Sequence, residues 1–266
     1  MMSNHNSLNN IYLSEVKTDI GKYSDFIKEV ITEKDIEGLP EPVQRCFRNC
    51  SYIGKIKMIN AKIELKNVLF KRAPNDKWMR LKCHQYNSVS DPTRIVYLKN
   101  KILGMFPFEA CDRCINGKGN MLIRLLKLFT IADAKGIEMN KSALVTVLSE
   151  MFIVPTYALQ NYIKWEAIDS NSAKATLTYN DINVSGIFTF NDKGEMISFY
   201  TEDRYSAEKD GTYKQIPWSA IINSYYEKDG MKFPCNLKAI WHYESGDFEY
   251  FKGEISNIEY NIMKWF

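Results

Sequence analysis

Nowhere in the 266 residues do about 18 apolar positions follow one another, so no segment reads as a membrane-spanning helix. The first dozen residues are polar and no apolar h-region follows them, which argues against a secretory signal. With these two absences, the six cysteines (Cys46, Cys50, Cys83, Cys111, Cys114 and Cys235) predict buried free thiols in a reducing, cytoplasmic setting. An envelope association is expected only if an N-terminal anchor has been removed.

A strong excess of one charge is missing too. Lys and Arg number 35 against 32 Asp and Glu, for a net charge of +3 and a pI near 8.4, and the two signs alternate along the chain. A nucleic-acid partner would call for a larger, clustered basic excess, so none is expected. The densest basic stretch is Lys55, Lys57, Lys62, Lys66, Lys71 and Arg72, interrupted by Glu64. On a strand these residues do not share one face, which favours a solvated edge over an anionic partner.

Catalytic punctuation is scarce. There are three histidines, His5, His84 and His242, and no G-x-S-x-G, H-E-x-x-H or Walker pattern. Gly117-Lys118-Gly119 is only a fragment of a phosphate loop and reads as a hairpin turn. Cys111-Asp112-Arg113-Cys114 lies in strand-like flanks, which would send the two sulfurs to opposite faces. Cys46 and Cys50, four apart on a predicted helix, have poor spacing for zinc. No metal and no cofactor are expected, and the balance leans away from an enzyme. Ser-His-Asp triads assemble in space, and the sequence is silent on them.

What the chain has in plenty is strand texture. Aromatics make up 13% of it, and hydrophobic content is 45%. Short runs of Ile, Val, Phe, Tyr and Thr are closed by turns such as Asn191-Asp192-Lys193-Gly194, Glu227-Lys228-Asp229-Gly230 and Glu244-Ser245-Gly246-Asp247. Successive hairpins of this kind imply one large antiparallel sheet. Strands are predicted near 55–71, 77–88, 93–103, 106–116 and 119–130, and again from Trp165 to Tyr260. The run Met121–Phe129 fits a helical stripe almost as well as a strand face. Residues 1–12 read as a disordered tail, 13–38 as an amphipathic segment helical over 20–36, and Glu41–Phe47 as a short helix with Pro42 in its first turn. Asn140 is expected to cap a helix over 140–152 with Leu144, Val147, Leu148 and Met151 on its apolar stripe. No Pro- or Gly-rich linker divides the chain, so 39–266 reads as one curved-sheet domain with a helical insertion near 140–160.

Glu150 stands at the flank of that apolar stripe. A carboxylate there wants a partner, and Arg113 and Arg204 are the candidates. A structural ion pair between helix and sheet is the plainer alternative to a ligand-orienting or catalytic pair. Tyr205, Trp218 and Trp165 would add aromatic walls to the same pocket.

One series of motifs carries a resemblance. Leu39-Pro40-Glu41-Pro42-Val43-Gln44-Arg45 opens it, followed by Asn116–Gly119, Ala132–Glu138, Leu148–Pro155 and Trp165-Glu166. Arg204-Tyr205, Pro217-Trp218, Asp229–Pro234 and Trp241 complete it. In this order the motifs resemble an uncharacterised bacterial family of unknown function, over roughly residues 39–260. That family is similar in architecture to lipoprotein carriers, whose half-open antiparallel barrel has helices over its mouth. Many members begin with an apolar membrane segment, which the polar start here does not match. Cys46-Phe47, Cys111 and Cys114 are further departures, and they argue that the cysteines are incidental.

The expected fold is therefore α+β: a large curved antiparallel sheet, a half-open barrel, with helices 20–36 and 140–152 over its concave face or open end. The expected function is non-catalytic binding of a hydrophobic or amphiphilic molecule, such as a lipid or acyl chain, in a solvent-open cavity of some hundreds of Å³. Arg113, Glu150 and Arg204 would orient its head group. An enzyme with a Glu/Arg acid–base site, or an interaction module with a filled interior, are the alternatives. Peripheral contact with a membrane and the oligomeric state are left undecided.

Overall fold

The computed structural model describes residues 7–102, 105–208 and 211–265, and residues 1–6 of the tail expected over 1–12, with His5, lie outside them. Strand-favouring runs and their turns build a first meander: β1 (Asn60–Phe70), β2 (Met79–Ser88), β3 (Thr93–Ile102), β4 (Phe106–Ile115), β5 (Lys118–Leu125) and β6 (Phe129–Ala134). A second meander comprises β7 (Ile163–Ala167), β8 (Ser172–Tyr179), β9 (Ile182–Phe190), β10 (Met196–Thr201), β13 (Trp218–Lys228), β14 (Met231–Tyr243) and β15 (Gly246–Tyr260). A small hairpin, β11 (Tyr205–Ala207) with β12 (Tyr213–Gln215), is inserted before β13. β1 pairs with β15 and joins the two meanders into a 13-stranded curved antiparallel sheet, with β6 and β7 at opposite edges. The turns read from sequence are present: Asp229 and Gly230 both adopt positive φ (54° and 71°) between β13 and β14, as a tight hairpin requires.

The topology dictates the next step. Because β6 and β7 are opposite edges, the chain between them must travel across the sheet. It does so over one face through α4 (Ile137–Ser149) and the 3₁₀ turns Met151–Ile153 and Pro155–Leu159. α4 packs against β4 and β5 on one side and β8, β9 and β11 on the other. Its start lies so close to β5 that a Cβ on Gly119 would collide with the Met139 carbonyl. Tyr157 Oη anchors the crossing 2.6 Å from the Ser88 carbonyl and 2.9 Å from that of Thr93. The covered, concave face carries the main core. In its β8–β10 half, Phe152 meets Phe188 and Phe190 edge-on at 5.5 and 5.4 Å.

Several sequence expectations are corrected here. The first helix, α1, is Leu8–Ile20, where a tail to residue 12 and a helix over 20–36 were expected. Its stripe, Leu8, Tyr12, Val16 and Ile20, is hidden among Asn, Ser and charged residues, yet every member is buried. After a 3₁₀ turn at Gly21–Tyr23 the expected helix over 20–36 gives way to non-helical chain over 26–32: Ile31 N donates to the Lys55 carbonyl, and Ile27 and Val30 are exposed. A four-residue helix, α2 (Glu33–Ile36), follows. α1 also covers the other face of the sheet. Tyr86, Ile95, Tyr97 and Cys111 pack against it, while Val96 and Cys83 point to the concave side. α3 (Glu41–Asn49) forms as expected, with Pro42 in its first turn. α4 starts at Ile137 after Gly136, and Asn140 does not cap it: its Oδ1 accepts from Gly119 N at 2.8 Å. Among the described residues no helix is long and apolar enough to cross a membrane.

Candidate functional site

The concave core is not continuous. Val68, Leu81, Cys83 and Val96 form an apolar cluster apart from the main one, with Leu65 and Phe251 touching both. Between the clusters lies a cavity of about 180 Å³. Its walls are concave-face side chains of β1–β5 and β13–β15, including Leu65, Leu81, Val96, Ile222, Leu237 and Phe251. Phe152 and Ile153 close it from the crossing segment. An apolar cavity of about 150 Å³ takes a benzene-sized guest, so this one suits a slender chain rather than a bulky molecule. It is smaller than the several hundred Å³ expected from sequence, because Phe152, Trp218 and Tyr250 occupy much of the trough.

One end of the cavity is polar. Arg94, Gln85 and Asp112 project from β3, β2 and β4, and Glu150 closes the C-terminal end of α4. Arg94 Nε donates to Glu150 Oε2 at 2.9 Å and its Nη1 to Asp112 Oδ2 at 2.7 Å. Gln85 Nε2 donates to the same Glu150 oxygen at 2.6 Å. Burial opposes the Arg94 charge, but Glu150 and Asp112 outweigh it and hold the guanidinium above its ordinary range. The Arg94, Glu150 and Asp112 side chains keep 13, 17 and 23% exposure, so solvent reaches this end.

Arg204 is differently placed. Its guanidinium lies 4.4 Å from the Trp218 ring and 5.4 Å from that of Trp241. Nη1 donates to the Ser142 carbonyl at 3.0 Å and to Thr146 Oγ1 at 2.5 Å, both on α4. Nε is buried and meets no acceptor, and among the described residues Arg204 forms no ion pair. One cavity arginine is thus neutralised by two carboxylates, and the other is met only by neutral groups.

Of the residues singled out from sequence, Glu150, Arg204 and Trp218 meet at the cavity, while Arg113, Trp165 and Tyr205 do not line it. Arg113 points to the α1 side and bonds Glu15 Oε1 at 2.5 Å. Trp165 is in the aromatic half, 5.4 Å from Phe188, with Nε1 donating to the Ala158 carbonyl. Tyr205 N donates to Ser142 Oγ at 3.0 Å and fixes β11 to α4. Glu150's ion-pair partner is Arg94, not Arg113 or Arg204. Sequence reading missed Arg94, although a signal was there: Arg94 shares strand parity with Val96 and Leu98, which marks a charge on the apolar face.

Two other constellations take no part in the polar end of the cavity. Ser219 Oγ lies 2.8 Å from His242 Nε2, and His242 Nδ1 lies 2.7 Å from Asp247 Oδ1, the spacing of a hydrolytic triad. Ser219 sits mid-ladder, opposite Tyr200 and Ile240, so the neighbouring amides are committed to sheet pairing rather than to an oxyanion. This cross-strand relay reads as part of the sheet. The six cysteines are free and buried. Cys111 packs under α1 and Cys114 in the main core, on opposite faces of β4. Burial pushes the thiols of Cys83, Cys111 and Cys114 up to about 12.

The chain belongs to a family of unknown function, DUF6544, whose profile matches residues 29–253, in keeping with the motif series above. No curated protein matches it. Among solved structures it is similar to a LolA-superfamily protein from Nitrosomonas europaea, with 9% identity, 83% of this chain and 94% of that one covered, and a TM-score of 0.45. It is likewise similar to a DUF1329-family protein from Desulfovibrio piger, with 9% identity, 84% and 94% covered, and a TM-score of 0.44.

Proposed function

We propose that this protein is a non-catalytic binder of a single-chain amphiphile, such as a lipid or a free acyl chain. The apolar tail lies between the two core clusters, and an anionic head group meets Arg204. The observation that carries this reading is the 180 Å³ apolar cavity with Arg204, an arginine without a carboxylate partner among the described residues, in its lining. An acyl tail gains about 0.8 kcal/mol for each CH₂ it buries, which favours a slender aliphatic guest. Arg204 supplies charge without a competing carboxylate, and its stacking on Trp218 and Trp241 fixes its direction. Glu150 accepts from both Arg94 and Gln85, which supports a role as the lock between α4 and the sheet rather than as an acid or base. The six unpaired thiols support a reducing, cytoplasmic setting.

Native mass spectrometry after gentle purification tests the proposal, with dodecanoate, dodecanol and dodecane added in parallel. The expected result is retention of a co-purified or added amphiphile, with dodecanoate ahead of dodecanol and Arg204→Gln abolishing that preference. If none of the three is retained and no mass co-purifies, the binding reading fails. If dodecanol is held as tightly as dodecanoate, the role given to Arg204 fails and the cavity reading stands.

A further inference from the structure

Six of the sixteen exposed large apolar side chains among the described residues lie at one corner of the sheet: Met105, Phe106, Leu126, Leu128, Phe129 and Ile131. The pairing places them together. Leu126 N donates to the Pro107 carbonyl at 2.7 Å, joining the start of β4 to the β5–β6 turn, and Phe129 is opposite Leu125. Met105 and Leu128 are each 71% exposed and Phe129 61%. Leu126 and Lys127 both adopt positive φ (56° and 62°), so the turn is tight and presents these side chains at its tip. β6 is also a sheet edge, a place where proteins ordinarily avoid apolar exposure.

Charge is concentrated in the same segment. Between residues 99 and 131 there are six basic and two acidic residues, of which Arg113 is paired with Glu15 and Lys118 starts β5 at its far end, so Lys99, Lys101, Arg124 and Lys127 are the cations of this corner. Lys99 and Arg124 both stand opposite Glu109 in the ladder, and Lys101 opposite Pro107, so Lys99, Lys101 and Arg124 share the face that α1 covers further along. Lys101 and Lys127 are exposed. The two acidic residues offer little to a partner. Glu109 is buried, accepting from Tyr97 Oη and Leu8 N with Lys127 Nζ 4.0 Å away, and Asp112 is paired with Arg94. The corner is thus an apolar tip with a cationic flank.

We infer that this corner docks on a bilayer surface containing anionic lipid, with the Met105–Phe106 and Leu126–Phe129 tips at the level of the head groups. Apolar side chains next to lysines match an interface in which a thin apolar layer lies under negative charge. A second copy of the chain would bring the same four cations against themselves, whereas an anionic bilayer would neutralise them. The docking does not depend on the cavity being loaded, although Leu98 lines the cavity and lies on β3, which leads to this corner.

Co-sedimentation of the full chain with vesicles tests the inference. Phosphatidylcholine vesicles are compared with vesicles carrying about 30% phosphatidylglycerol at about 0.15 M salt. The protein is expected to pellet with the anionic vesicles and to be released by high salt. Leu128→Asp and Phe129→Asp should each lower partitioning about tenfold or more, with circular dichroism and melting unchanged because both side chains are exposed. The double variant Lys101→Glu, Lys127→Glu should lose the preference for anionic vesicles. No pelleting with anionic vesicles, or pelleting indifferent to Leu128→Asp, overturns the inference. So does a dimer in light scattering that Leu128→Asp dissolves, because the corner would then be a self-association face. Since the readout is the protein on the vesicle, the result stands whether or not any amphiphile is retained in the cavity.

Discussion

Filling the cavity should stabilise the ligand-free protein and evict its ligand. Ala220 on β13 and Ala239 on β14 are directly opposite one another, and both line the cavity. Leucine at 220 adds three carbon groups over the Ala239 methyl. At about 0.8 kcal/mol per buried CH₂ the gross gain is about 2.4 kcal/mol, and rotamer restriction with partial strain leaves about 1–2 kcal/mol. For a chain of this size each kcal/mol moves the melting point by about 2–4 °C, so Ala220→Leu should melt about 2–8 °C higher. Calorimetry on ligand-free protein measures the shift, and native mass spectrometry with dodecanoate measures retention, which should fall at least tenfold. In a solid interior the same leucine would have to overpack, at a typical cost of about 1–3 kcal/mol. A lower melting point with dodecanoate retention unchanged would therefore refute both the cavity and its role. Ala220→Leu with Ala239→Leu should fall short of twice the single effect, because the two side chains compete for one space.

Three further outcomes follow from the surrounding chemistry. Arg94→Met leaves Glu150 and Asp112 without a counter-charge and should cost about 3–5 kcal/mol in urea unfolding, whereas Glu150→Gln keeps an acceptor and leaves Arg94 with Asp112, costing about 1–3 kcal/mol; equal and negligible losses would dismiss the network as a lock. The Cys83, Cys111 and Cys114 thiols, pushed up to about 12 by burial, should be about one part in ten thousand thiolate at pH 8 and react with an aromatic disulfide reagent only on unfolding; rapid labelling of any of the three in native protein contradicts their placement. Burial works against Glu249 ionisation, but Lys238 at 3.0 Å and Lys252 at 3.1 Å prevail and hold its pKa below the usual 4.5. Its folded pKa lies below its unfolded one, so its contribution is present above about pH 4.5 and fades as pH falls through the folded value. The stability gap between the parent and Glu249→Gln should therefore narrow below pH 4.5, as read from urea melts across that range, and a constant gap would rule out the linkage.

The parts of this molecule that were legible in its sequence are those set by local chemistry. Asp229-Gly230 marks a hairpin because positive φ is cheap there, and the thiols read as incidental because Cys111 and Cys114 lie in strand-like flanks and Cys46 and Cys50 have poor spacing for zinc. α1 was hidden because its four buried residues, Leu8, Tyr12, Val16 and Ile20, are spaced one per turn among polar neighbours, a stripe too thin to register until a sheet face is supplied for it. The cavity was hidden for a related reason. Strand parity puts Leu81 and Cys83 on one face of β2, but whether α4 and Phe152 would fill the space above them depends on a crossing between two sheet edges some thirty residues apart in sequence. Pairing followed the same rule: Glu150 is 37 residues from Arg113 and 54 from Arg204 in sequence, yet it meets Arg94 because β3 lies under the end of α4. Sequence spacing ranks partners only within an element. Between elements the register decides, and β1–β15 pairing, which sets where every concave side chain stands, involves residues almost 200 positions apart. A substitution that slipped this one pairing by a residue would turn the concave face outward along one of the two strands, and the cavity would be lost with no change to any residue that lines it.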